Sequence, residues 1–105
     1  YVLPTPLAGG EYYHFIYNHT AAISNDIHIR TTTTDGSVLF NGSVTFFDIT
    51  ADENSGVIFA DGNSNDIIQL NNLSGLDLHF LSISTTAWYV WGSVTSDTIP
   101  AFDDA

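Results

Sequence analysis

The sequence predicts an all-β fold: a single antiparallel β-sandwich or small barrel of about seven to eight strands, preceded by an extended N-terminal arm. Three observations carry this expectation. Apolar residues recur with period two, as where Ile27 and Ile29 alternate with His28 and Arg30. Turn-forming dipeptides punctuate the chain roughly every eight to fourteen residues. No stretch holds the i, i+3, i+4, i+7 apolar stripe of a helix.

Residues 1–105 read as one domain, with 1–10 as the arm and 99–105 as an acidic C-terminal tail. Leu3-Pro4-Thr5-Pro6 is held extended by its prolines, and Gly9-Gly10 forms a flexible step after it. Runs rich in aromatic and β-branched residues follow at 12–17, 26–31, 43–49, 56–60, 66–70, 76–81 and 87–92. In the run at 76–81, Leu76, Leu78 and Phe80 alternate with Asp77, His79 and Leu81. Asn25-Asp26, Asp35-Gly36, Asn41-Gly42, Asp61-Gly62 and Ser74-Gly75 are expected to be the turns, because these residues tolerate positive φ. The tail is expected to fray, with Phe102 as its one aromatic anchor.

Charge excludes several functions. Arg30 is the only basic residue besides four histidines, against twelve acids, and the formal net charge is −11. Nucleic acids and anionic membranes are bound by Lys and Arg, so neither is an expected partner. Apolar residues make up 44% of the chain, enough to fold around a core. Without cysteine there is no disulfide, thiolate metal site or thiol nucleophile. No apolar run is long enough to cross a membrane as a helix, and the chain is expected to be soluble.

Candidate chemistry is sparse. His14, His19, His28 and His79 include no pair at i, i+2, so no metal site is expected from imidazole spacing. Their protonation would offset part of the negative charge and should tighten any assembly in mild acid. The 61–66 loop alternates oxygen-bearing side chains as calcium loops do, yet its twelfth position is Asn72 rather than Glu and its sixth is Asp66 rather than Gly. It reads as a turn. No nucleophile elbow, triad or phosphate loop is present, so neither an enzyme nor a cofactor is expected. The aromatic run is more informative: alternation sends Trp88 and Val90 to one face and Tyr89 and Trp91 to the other. One of those faces must lie outside or in an interface.

The segments LPTPLAGGEYYHFIYN, DIHIRT, DGNSNDIIQL and AWYVWGSVTSDTIPAF, taken in that order, resemble a pattern in small β-rich structural proteins of tailed phages, especially marine ones. Leu3-Pro4, Gly9-Gly10, Tyr13, Phe15, Asp66, Trp88, Val90, Gly92, Pro100 and Phe102 carry it. The resemblance implies a head-decoration protein or fibre knob and no active site. The expected function is therefore a non-enzymatic virion structural protein that decorates and stabilises a capsid at the particle surface. Its expected partner is the major capsid protein or another virion protein, and it is expected to form a homo-oligomer such as a trimer. Val2, Leu3, Pro4 and Pro6 would add along a neighbour's sheet edge, and Tyr89, Trp91 and Phe102 would dock as aromatic anchors. On that reading the arm can be deleted without loss of the fold. Two alternatives stand beside it: a receptor- or carbohydrate-binding fibre module, and a subunit of an extracellular filament or surface layer.

Overall fold

The computed structural model describes residues 1–7, 9–18, 26–31 and 37–104. The expected turns at Asn25-Asp26 and Asp35-Gly36, and His19, lie wholly or partly outside the described residues. The described chain is almost all β. Its strands are β1 (Tyr12–Asn18), β2 (Ile27–Arg30), β3 (Leu39–Asp48), β4 (Gly56–Asp61), β5 (Ile67–Leu70), β6 (Leu73–Ser84), β7 (Ala87–Ser96) and β8 (Ala101–Asp103). They form a five-stranded sheet in the order β1-β6-β7-β3-β4 and a three-stranded sheet in the order β2-β5-β8.

Alternation fills one continuous core between the two sheets. The five-stranded sheet turns Phe40, Val44, Leu78, Phe80, Trp88, Val90 and Val94 inward, and the smaller sheet contributes Ile29, Ile68 and Leu70. Fully burying a side chain of this size contributes about 1.5–3 kcal/mol, so these positions carry the fold.

The expected all-antiparallel pairing needs correction. β3 and β7 pair in parallel, from Leu39↔Ala87 to Asp48↔Ser96. After the β3–β4 hairpin the chain crosses to the other sheet as β5 and returns as β6, which pairs antiparallel with β7. A long crossover of this kind permits parallel pairing where a short hairpin cannot.

Two of the expected turns lie inside strands. Asn41-Gly42 belongs to β3 and Ser74-Gly75 to β6, where the β6–β7 register shifts between Leu73 and Gly75. Gly42 has φ 109 and lies so close to the Val90 backbone that a Cβ would meet the carbonyl oxygen. Glycine there serves a close approach between strands, a need met by the same residue that makes turns.

The two ends also depart from expectation. The N-terminal segment lies along β2 of its own chain: Leu3 N–H donates to the Arg30 carbonyl at 2.8 Å, and Arg30 N–H to the Tyr1 carbonyl at 2.8 Å. Leu3 is 2% exposed in the core and Pro6 is buried, so neither can reach a neighbour. Glu11 secures the same segment. Its carboxylate accepts Leu7 N–H at 2.7 Å and the buried Ser82 hydroxyl at 2.7 Å. At the other end the tail forms β8 against β5, and Phe102 packs on Phe40 with ring centroids 5.9 Å apart. An apolar anchor beside an available edge strand is better satisfied within the chain than in water.

Candidate functional site

The outer face of the five-stranded sheet is the candidate site. Alternation turns residues of β1, β6, β7, β3 and β4 away from the core, interrupted in β6 where its register on β7 shifts, and the register sorts them into rows. His14, His79 and Trp91 form one row across β1, β6 and β7. Ile16, Asp77, Ser93, Thr45 and Val57 form the next, spanning all five strands. Tyr12, Leu81, Tyr89, Asn41 and Asp61 form another.

The face is apolar over much of its extent. Ile16 is 70% exposed and Phe59 74%, and Phe47, Val57, Ile83, Tyr12 and Tyr89 are also open to solvent. Soluble monomers rarely expose so many large apolar side chains on one surface. Its one central acid, Asp77, is flanked by imidazoles.

Histidine and aromatic rings form a stack on the β1, β6 and β7 side. The His14 and His79 rings lie 4.0 Å apart at 12°, and the His79 and Trp91 rings 5.0 Å apart at 8°. Tyr12 adds its ring against His79 and Trp91, and Tyr89 adds its ring against Trp91. Asp77 Oδ1 is 2.5 Å from His14 Nε2 and 3.0 Å from His79 Nε2. The Tyr12 hydroxyl pairs with His79 Nδ1. The hydrogen bond from His14, helped by the imidazole charges, holds the Asp77 carboxyl below the usual carboxylate range. His14, Asp77 and His79 are the residues of this face that could hold a metal ion.

Two other acids have structural work. Asp61 Oδ1 accepts the N–H groups of Asn63 and Ser64 at 2.9 Å and of Asn65 at 3.1 Å, while Oδ2 accepts the Ser64 hydroxyl at 2.9 Å. Those donors hold its carboxyl far below the usual range. The loop read as a turn is thus closed by its own first residue, whose oxygens are turned to the loop's own donors. Asp48 accepts the N–H and hydroxyl of Thr50 and the N–H of Ala51 in the same manner.

Of the seven contact residues expected from sequence, Tyr89 and Trp91 stand on this outer face. Val2 and Pro4 are exposed in the N-terminal segment, with Val2 bridged to Arg30 of β2, a strand of the other sheet. Leu3, Pro6 and Phe102 pack inside the chain or against its core. Sequence reasoning did not name Tyr12, Ile16, Val57, Phe59 or Asp77 as contact residues, and it set His14 and His79 aside as metal ligands on their spacing, whereas strand pairing brings both to Asp77. Asp77 and His79 carried a usable signal, since they alternate with the core residues Leu76, Leu78 and Phe80. His14 carried none, because its place beside His79 depends on how β1 registers against β6.

Comparison of the chain with protein-family models, with curated proteins and with solved structures gives no match.

Proposed function

We propose that this chain is a non-enzymatic structural subunit that covers an assembled protein surface, with the outer face of its five-stranded sheet as the contact face. The two sheets are read as an open eight-stranded β-sandwich. The assembled surface is a virion capsid, as the resemblance implies, and the chain stands at the particle exterior as a decoration protein. The exposed apolar rows through Ile16, Val57, Phe59, Tyr89 and Trp91 carry the reading.

Charge supports a heterologous occupant for this face. At −11, two copies brought face to face would repel, whereas a capsid protein with an apolar patch and a basic rim would be attracted. A homo-oligomer, a trimer included, arises on that scaffold as copies settle on neighbouring capsid subunits. The engagement of Asp48 and Asp61 in closing their own loops supports a structural use of the acids. The sugar-platform alternative is less well supported. One face of the Trp91 ring is stacked on His79, which leaves less of it open to a sugar ring.

Quantitative mass spectrometry of particles purified from the source tests the proposal. A copy number equal to that of the main shell subunit, or a simple fraction of it, is expected. Absence from the particles would overturn the proposal.

A further inference from the structure

We infer that His14, Asp77 and His79 form a binding site for one divalent transition-metal ion of the zinc class. The site is independent of the contact reading above, and its test needs no partner protein.

The donor set comes first. Two imidazoles and one carboxylate suit zinc, copper(II) or nickel, whereas calcium and magnesium call for oxygen ligands throughout. The geometry supplies convergence. Nε2 of both histidines lies against the same oxygen, Asp77 Oδ1, at 2.5 and 3.0 Å, and all three ligand atoms fall within 4.8 Å of one another. Ligands about 2.0–2.1 Å from a tetrahedral ion stand roughly 3.3 Å apart, so the two Nε2–Oδ1 spacings of 2.5 and 3.0 Å must lengthen to admit one. Asp77 can open the gap by a small turn of its side chain, which is 54% exposed.

The sheet holds the imidazoles in place. His14 and His79 are direct cross-strand partners, and Asp77 lies two residues from His79 on the same face. Their rings stack in the free protein with Trp91 on the far side of His79, and because a ligated ion lies in the plane of each imidazole, binding requires the two rings to tilt out of that stack toward one point. The Tyr12 hydroxyl at His79 Nδ1 supplies the outer hydrogen bond that fixes a ligating ring. A hydroxyl can donate or accept, so it keeps this partner whether the His79 proton sits on Nε2 or on Nδ1. In the free protein an Nε2–H of each imidazole can be turned to Asp77 Oδ1, as the His14 hydrogen bond shows. A metal ion would displace those protons and take the nitrogen lone pairs in their place. With three protein ligands, one position stays open toward the outer face.

Isothermal titration of the metal-free chain with zinc chloride tests the site. Saturation at about one ion per chain is expected. His14→Ala and His79→Ala should each weaken binding by about tenfold or more, while His28→Ala on the other sheet should leave it unchanged. Titration with copper(II) gives a second readout. The ion should quench the fluorescence of Trp91, and Trp91→Phe should remove most of that quenching without changing zinc affinity. Circular dichroism of each variant verifies that it is folded. No saturable binding by the folded wild-type chain, or wild-type affinity in both histidine variants, would overturn the inference.

Discussion

Gly92→Ala isolates the close approach on which the β6–β7 pair depends. Gly92 has φ 130, and a Cβ placed there would lie 1.9 Å from the Asp77 carbonyl oxygen and 3.2 Å from Leu78 Cα. Holding a side-chain-bearing residue at that φ costs about 1–3 kcal/mol. Relieving the clash requires β6 and β7 to part by about 1 Å, weakening adjacent ladder hydrogen bonds worth about 1 kcal/mol each. The expected loss is therefore about 3–5 kcal/mol, a large share of the roughly 5–15 kcal/mol that stabilises a typical domain. Urea denaturation followed by tryptophan fluorescence measures it. Gly56→Ala is the control, since a Cβ there meets nothing within 4 Å. It should change stability by less than about 1 kcal/mol. A loss below about 1 kcal/mol in Gly92→Ala, with an unchanged denaturant slope, would refute the close-approach argument.

Three further outcomes are expected. Trp88→Ala should cost about 3–5 kcal/mol because the side chain is fully buried, while Trp91→Ala should stay within about 1 kcal/mol in urea denaturation yet weaken attachment to particles. Leu3→Ala should cost about 2–5 kcal/mol by the same assay, since the N-terminal segment belongs to the core; an unchanged midpoint would restore the free arm expected from sequence. Asp48 and Asp61 have carboxyls lowered from 3.8, so the stability each contributes is complete above that value and is lost as pH falls through the lower folded-state value. Melting temperature followed from pH 5 down to pH 2 should therefore fall less steeply in Asp61→Ala than in the wild type, and equal slopes would argue against the loop-closing role of Asp61.

The strand interiors were legible in the sequence because period two survives wherever one sheet face is buried. The alternation at 76–81 and the split of Trp88 and Val90 from Tyr89 and Trp91 both appear in the structure as read. Turn placement was less legible. Gly42 and Gly75 carry the chemistry of turns but sit inside strands, whereas the β6–β7 hairpin closes through Thr85-Thr86, aided by a Ser84 hydroxyl that accepts Thr86 N–H at 3.1 Å. No glycine or asparagine marks it. The candidate site was half legible: Tyr89 and Trp91 follow from alternation alone, but His14 meets Asp77 and His79 only through pairing between strands some sixty residues apart in sequence. Local pattern does not fix such register. The ends were misjudged for a related reason, since Leu3 and Phe102 find partners in β2, β3 and β5 that no nearby residue announces.

Hydroxyl-radical footprinting with mass spectrometry, comparing the isolated chain with the chain in particles from its source, tests the contact face most directly. Tyr12, Tyr89, Trp91 and Phe59 should lose most of their reactivity in the particle, while Leu7 and Ile99, exposed outside the five-stranded sheet, should keep theirs. Equal oxidation of the four outer-face residues in both states would contradict the account.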